Sequence, residues 1–391
     1  MRVTLVGYGS EGDVQPLVAL GCALRAAGHE VVVTGDASGE ASVTSHGLTF
    51  ASLTGDIATA LKTGVSLRGM VTFRWNDAEW IDEISAAAAG SDVVVGLPVV
   101  SVHAMAAADR VGAVGILAGL QPMEPTRDFV PSALGAPHVP AWLNRPIGRA
   151  VDIVGGQVIM RRVNRVRRAA GESPLAYPYY RLPFLGAWSR TLVPTPGDWD
   201  AGTSVTGQWW QAPDPDWTPP DDVSAFLDGE ERPVYVGFGS VGGPRVAYAV
   251  EQALQALAGH RVLLASPFSG DVGEEVLRIG RLPHEWLFRR CGALVHGAGA
   301  GTAHAAARSG VPSVPVPFAL DQPFWADRLY RLGIASRPVD PRSGWEAYEA
   351  ALRETVPARD PAKDLAARIA GEDGVTVAVA TLEHLAASTH R

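Results

Sequence analysis

The stretch Ile279–Arg328, IGRLPHEWLFRRCGALVHGAGAGTAHAAARSGVPSVPVPFALDQPFWADR, decides how the rest of the chain is read. An apolar run, Ala293 to Val295, ends in His296, passes through Gly297, Ala298, Gly299, Ala300 and Gly301, and enters an Ala-rich segment at Thr302. That is the succession of a buried strand, a glycine turn and a helix N-terminus. Such a junction aims backbone N–H groups and the positive end of a helix dipole at one point, which suits a phosphate or diphosphate. Glycines let an anion approach the backbone closely. His296 stands where its imidazole can donate to a phosphate oxygen, and Thr302 is expected to cap the helix and offer its hydroxyl. After the next strand, SVPVPF, come Asp321 and Gln322. A carboxylate beside an amide at the carboxyl end of a strand suits sugar hydroxyls, with helix capping as the plainer alternative. For His296 the plainer alternative is a satisfied core histidine.

Outside this stretch the composition sets bounds. At 391 residues the chain favours about two domains. A formal net charge of -8 argues against a nucleic-acid partner, because an acidic chain offers no footprint for a polyanion. Two cysteines, Cys22 and Cys291, are too few for a disulfide framework, so a reducing cytoplasm is expected. The first residues run straight into a strand, Arg2 to Val6, so no signal peptide is expected. No uninterrupted apolar run approaches the roughly 20 residues of a spanning helix.

In chain order the first half alternates strand and helix. RVTLVG is a strand, Val14 to Ala27 is helical, EVVVTG and Gly47 to Ser52 are strands, and DVVVGLPVV, the helix Val102 to Arg110 and VGILAG follow. Near-continuous apolar strands in this alternation imply an α/β fold with a parallel, doubly wound sheet and ligands at the carboxyl ends of its strands. Between Leu61 and Trp80, and between Gln121 and Leu143, the pattern breaks into loops carrying Phe73, Trp75, Trp80, Phe129 and Trp142, candidates for an acceptor pocket or simply for packing the loops down. Gly148 to Gly171 reads as a long helix with Arg161, Arg162, Arg165, Arg167 and Arg168, a solvated face or a contact with an anionic membrane surface. QAPDPDWTPPDD, Gln211 to Asp222, has no periodicity and reads as a linker. The second half repeats the architecture: PVYVGFGS is a strand, Tyr248 to Leu257 a helix, and RVLLAS, VLRIG, ALVHG and SVPVPF are strands with helices between them. Gly239 and Ser240 end its first strand, where a backbone N–H and a hydroxyl can meet phosphate. No His, Cys and Asp cluster has metal-ligand spacing.

Three blocks, Pro283 to Phe288, His296 to Thr302 and Pro317 to Ala326, resemble in order and spacing the PHDWLF, HHGGAGT and PFxxDQPFWA signature of nucleotide-sugar glycosyltransferases of the two-Rossmann (GT-B) fold. The likeness points to the branch of sterol glucosyltransferase-like and glycopeptide-antibiotic enzymes. GSEGDVQPLVAL, from Gly9, is similar to their GSxGDVQPLVAL block. The sequence departs from the pattern at Gly297 and Ala298, which stand for a His and a Gly, and at Glu11, where Arg is common.

The resemblance implies two facing Rossmann-like doubly wound domains with a cleft between them. Residues 1–212 form the acceptor domain, 213–222 a linker, 223–373 the donor domain, and 374–391 a helix crossing back to brace the first domain. It implies an inverting, metal-independent transferase with no cofactor, whose co-substrate is a UDP- or dTDP-sugar and whose acceptor is a small, partly apolar specialised metabolite, with a sterol or lipid as the alternative. Asp13 is the expected base, the plainer reading being a carboxylate that complements a helix dipole. A glutamate so near as Glu11 would repel the donor phosphates or raise the Asp13 pKa. Donor contacts fall to Ser10, Gly12, Gly239, Ser240, Pro283, His284, His296, Gly299, Gly301, Thr302, Asp321 and Gln322. Arg281 occupies the place of a base-stacking Trp in plant relatives. Two other classes stay open. Gly7, Gly9 and Gly12 spell GxGxxG after a strand with Asp36 beyond the next, the fingerprint of an NAD-dependent oxidoreductase, and a nucleotide-sugar epimerase would use the same cleft.

Overall fold

A computed structural model describes residues 1–9, 11–55, 76–135, 139–175, 182–200, 202–212, 216–239 and 242–389. Two all-parallel sheets dominate it. The first has seven strands: β1 (Arg2–Val6), β2 (Glu30–Asp36), β3 (Thr49–Leu53), β4 (Val93–Gly96), β5 (Val114–Gly119), β6 (Phe184–Gly186) and β7 (Thr203–Val205), in the order β3-β2-β1-β4-β5-β6-β7. The second has five: β8 (Val234–Gly237), β9 (Val262–Leu264), β10 (Val276–Arg278), β11 (Ala293–His296) and β12 (Ser313–Pro315), in the order β10-β9-β8-β11-β12. Runs such as Val93–Gly96 are buried at every residue, as strands covered on both faces must be. In each sheet the order reverses beside the first strand, between β1 and β4 and between β8 and β11. That reversal opens a crevice at the carboxyl ends, where doubly wound folds hold ligands.

The helices are α1 (Glu11–Ala26), α2 (Glu40–Thr44), α3 (Asp77–Ala87), α4 (Ser101–Val111), α5 (Ala141–Ala169), α6 (Asp221–Leu227), α7 (Pro244–Ala256), α8 (His284–Leu287), α9 (Ala300–Ser309), α10 (Gln322–Arg331), α11 (Trp345–Glu354), α12 (Arg359–Ile369) and α13 (Gly374–Thr389). Several differ from the sequence expectation: α5 begins at Ala141 rather than Gly148, so Trp142 lies in a helix and not in a loop, and α7 begins at Pro244 rather than Tyr248. Helix α1 begins at Glu11 rather than Val14, so Glu11 and Asp13 both lie in its first turn, where carboxylates complement the dipole. Helix α6 takes up the last two residues of the expected linker. No helix lies between β9 and β10; residues 265–275 cross over as irregular loop. Their composition, with Pro267, Gly270 and Gly273 among them, breaks a helix before it can close two turns.

Chain reversal at the end is set by two glycines. A Cβ on Gly374 would stand 2.3 Å from the Gln208 carbonyl oxygen, and one on Gly207, which has φ 110°, would stand 2.9 Å from the Gly374 Cα. With both positions bare, α13 passes over residues 207–208 and lays Ala378, Val379, Leu382 and Ala386 into the core formed by Val3, Leu5 and Val33 of the first sheet and Leu17 and Leu20 of α1.

The sheets are joined by an apolar seam. Trp188, Leu192, Val193 and Val205 from the first sheet's last segments pack with Ala298, Ala303, Phe324, Trp325 and Leu329 from the second. His304 on α9 is fully buried within it: its Nδ1 donates to the Ala300 carbonyl at 2.7 Å, and its Nε2 accepts the Ser189 backbone N–H at 3.1 Å. Arg328 Nε donates to the Leu192 carbonyl at 2.8 Å, and Glu372 accepts from both the N–H and the hydroxyl of Thr191.

Because α13 completes the core of the first sheet, Leu382→Ala is expected to cost about 2–5 kcal/mol. Urea unfolding followed by far-ultraviolet circular dichroism measures this loss.

Candidate active site between the two sheets

His296 closes β11 at the carboxyl edge of the second sheet, in register with Gly237 of β8 and Pro315 of β12. Its Nδ1 accepts the backbone N–H of Ala298 at 3.0 Å. In this turn Ala298 takes the left-handed region, φ 56°, which an L-residue adopts at a cost of roughly 1 kcal/mol. The residue that replaces the family's glycine therefore keeps a glycine-like conformation, with its methyl buried in the seam. With Nδ1 accepting, the neutral ring carries its proton on Nε2. That Nε2 is buried and has no hydrogen-bond partner among the described residues. Burial, reinforced by His284, pushes the His296 pKa down to about 3, so at neutral pH the ring offers a hydrogen bond and not a charge. A buried donor left in this state costs about 1–3 kcal/mol, which a ligand oxygen would recover.

Helix α9 begins directly beyond. Gly299 is its N-cap and supplies no side-chain bond to the exposed N–H groups of the first turn. Thr302, expected to cap, instead lies inside that turn, because the helix starts two residues earlier, at Ala300. A Cβ at Gly299 or Gly301 would meet nothing within 4 Å, so both glycines lie on the open side of the turn. Gly239 follows β8 at the same edge with φ 70°. Ser240 lies outside the described residues, as do Ser10, Phe73 and Trp75.

Asp321 and Gln322 precede and open α10 and are partly occupied. The Asp321 carboxylate accepts the Trp325 indole N–H at 2.9 Å and makes no side-chain cap bond. Burial raises its pKa, against the N–H groups of Asp321 itself, Trp325 and Ala300. Gln322 Oε1 accepts the N–H groups of Phe318 and Ala319, at 2.7 and 3.3 Å. Its Nε2 points toward Gly297, 3.7 Å from where a Cβ there would stand. The oxygen of this amide is used by the fold and its nitrogen faces the glycine turn.

Across from this edge, Asp13 and Gly12 lie in the first turn of α1, after β1. A Cβ on Gly9 would fall 2.1 Å from Asp13 Oδ2, so the carboxylate folds back over the bare Gly9 Cα at the sheet's carboxyl edge. The two edges meet physically. Arg281, in the loop after β10, places Nη1 3.0 Å from Glu11 Oε1. Arg281, the candidate for base stacking, thus has its guanidinium engaged by a carboxylate at the start of α1. Pro283 is the N-cap residue of α8. His284 stacks on Phe288 with centroids 4.4 Å apart and lies 3.5 Å from the Tyr235 hydroxyl, and burial lowers its pKa.

The aromatic candidates separate. Trp80 is fully buried, donates to the Thr54 carbonyl at 2.7 Å and packs edge-on to His103, so it is core rather than pocket. Trp142, in the first turn of α5, is 74% exposed. Phe129 lies edge-on to both Trp199 and Phe324, at the seam. Asp36, which an NAD reading would assign to a ribose, is buried and caps a short turn through Ser38 N–H at 2.9 Å. The basic cluster of α5 divides too: Arg167 is buried against Asp109 and Glu172, Arg162 pairs with Asp77, and Arg161, Arg165 and Arg168 are exposed.

Sequence reading missed His304, which looked like one more residue of an Ala-rich helix. Its spacing of four from Ala300 on an apolar face was the available signal. Burial, with Arg308 adding to it, pushes its pKa down to about 3 against the pull of the Ala300 carbonyl. Both His296 and His304 have folded pKa values far below the ordinary 6.5. Below pH 6.5 the unfolded chain therefore takes up protons that the folded chain refuses, and stability falls as pH drops from about 6.5 toward 3, by about 1.4 kcal/mol per pH unit per group. His304→Gln, which keeps an acceptor for Ser189 but does not titrate, is expected to lower the proton uptake on unfolding between pH 6.5 and 4.5 by about one, read from urea melts across that range.

Residues 3–116 match the glycosyltransferase family 28 N-terminal domain, and residues 264–381 the erythromycin biosynthesis protein CIII-like C-terminal domain. O-mycaminosyltylonolide 6-deoxyallosyltransferase of Streptomyces fradiae is 34% identical, over 99% of this chain and 98% of that protein. A sterol 3-beta-glucosyltransferase of Aspergillus clavatus is 31% identical over 97% of this chain, which spans only 29% of that protein's length. Among solved structures, spinosyn forosaminyltransferase SpnP has a TM-score of 0.73 at 18% identity, covering 99% of each chain. Glycosyltransferase VinC, solved in complex with dTDP, has a TM-score of 0.67 at 19% identity, covering 99% of this chain and 100% of that one. The solved structures share the GT-B architecture of two parallel-sheet domains, and the two domain matches and the full-length likeness to the Streptomyces enzyme carry the conclusion: the chain belongs to the GT-B glycosyltransferases that include the antibiotic and sterol glycosyltransferases.

Proposed function

We propose that this protein transfers a glycosyl group from a nucleoside diphosphate sugar, UDP- or dTDP-linked, to a hydroxyl of a small, partly apolar acceptor of the antibiotic aglycone kind, with inversion at the anomeric carbon. The observation that carries the reading is the orientation of His296. Its Nδ1 is committed to the Ala298 N–H, and its Nε2 proton is left without a partner among the described residues at the head of helix α9, whose N-cap is Gly299. A proton donor and a helix dipole converging on one point form a receptor for the developing charge of a diphosphate leaving group.

The bond changes follow. The acceptor oxygen attacks the anomeric carbon while its proton passes to the Asp13 carboxylate, and the bond from that carbon to the diphosphate oxygen breaks. The electron pair leaves with the diphosphate, where His296 Nε2–H and the first-turn N–H groups of α9 oppose its charge. One displacement from the face opposite the leaving group inverts the centre. Asp321 and the free nitrogen of Gln322 are assigned to sugar hydroxyls. No metal or cofactor is needed in this scheme, since the protein's own N–H donors meet the charge. Likeness to the Streptomyces 6-deoxyallosyltransferase along nearly the whole of both chains favours an antibiotic-type acceptor over the sterols of the fungal relatives, of whose length this chain spans less than a third.

Asp13→Asn is expected to lower transfer by about 100-fold or more while nucleotide affinity changes less than threefold, measured by product formation and calorimetry. Retention of wild-type turnover would remove Asp13 from the mechanism. Treatment with EDTA is expected to leave the rate within about twofold. Nucleotide release should depend on added acceptor; acceptor-independent turnover of the donor would instead favour an epimerase.

A further inference from the structure

Glu11, where the family's pattern commonly has Arg, and Arg281 lie far apart in the chain, and the fold brings them together. Arg281 Nη1 lies 3.0 Å from Glu11 Oε1, linking the loop after β10 to the first turn of α1. On its own side the carboxylate is held in place. Gln15 Nε2 donates to Glu11 Oε2 at 3.0 Å and to the Ser42 hydroxyl of α2 at 2.8 Å. The pair contributes little to stability, because the Arg281 side chain is 75% exposed and that of Glu11 31%, and water screens such contacts. Its position gives it a different importance. Glu11 stands two residues before Asp13, and Arg281 two before Pro283, on the two sides of the cleft that a donor must occupy. An uncompensated carboxylate there would repel a diphosphate held at His296 and the α9 turn.

We infer that Arg281 is a positioning residue that acts through Glu11: the cross-cleft ion pair neutralises the acidic first turn of α1 and latches it against the donor loop, so that a nucleoside diphosphate can bind beside a carboxylate. The inference rests on the donor reading above. It makes the two side chains one compensated unit. It also assigns to Arg281 a role distinct from contact with a nucleobase, in which the charge at position 11 would be irrelevant.

A double-mutant cycle on the full chain, read by calorimetry with TDP and with UDP, separates these. Arg281→Ala is expected to weaken the better nucleotide about tenfold, and Glu11→Ala/Arg281→Ala to bind within about threefold of wild type, since removing the carboxylate removes the need for its partner. The exchange Glu11→Arg/Arg281→Glu should likewise restore binding. The Arg281→Ala defect should shrink as sodium chloride rises from 50 to 500 mM, as a screened repulsion does and a stacking loss does not. Equal weakening in Arg281→Ala and in the double variant, or no weakening in either, overturns the latch. If wild type binds TDP or UDP and His296→Ala loses that binding while the cycle is additive, the latch alone falls. If wild type binds neither nucleotide, the donor reading falls and takes the latch with it. Both side chains are at the surface, so unchanged melting temperatures certify folded variants.

Discussion

The structure depends on the apolar seam that fixes one sheet's carboxyl edge against the other's. A transferase of this kind needs a base on one body and a leaving-group receptor on another, and neither is useful alone. Trp188, Leu192 and Val193 from the first sheet pack against Phe324, Trp325 and Ala303 from the second, and the buried His304–Ser189 bond pins the start of α9 into that packing. Helix α13 adds a second tie at the far end by completing the core of the first sheet. The seam also reaches the polar residues of the edge directly, since Ala298 and Trp325 within it donate to His296 and Asp321.

The site carries small, local costs that the seam supports. Ala298 occupies a left-handed conformation, and the His296 Nε2 proton is buried without a partner among the described residues. Each is unfavourable by an amount of the order of 1 kcal/mol or somewhat more, and each persists because the surrounding packing over-determines it. Both lie in the same turn, and the first produces the second: the left-handed turn delivers the Ala298 N–H to Nδ1 and so commits the ring's proton to Nε2. Strain and chemical readiness are one arrangement here.

Charge is handled differently on the two sides. The edge of the second sheet presents N–H donors and a helix N-terminus, with His296 kept uncharged by burial. The facing side is acidic, with Glu11 and Asp13 in one helix turn. The Arg281 guanidinium is the cation that the geometry sets against one of these carboxylates, Glu11.

The order of strands and helices, the doubly wound parallel sheets and the place of the glycine turn were legible in the sequence, because buried parallel strands and helix starts leave local periodic signals. So was the candidacy of His296 and Asp13, which stand at strand ends next to glycines. Local pattern could not say that Trp80 is core while Trp142 is solvent-facing, since an aromatic in an irregular segment carries no period. Nor could it show that residues 265–275 cross without a helix, that the Gln322 oxygen is spent on the backbone, or that Arg281 reaches Glu11. Those facts depend on which distant segments the seam brings into contact, and only the packed tertiary structure decides that.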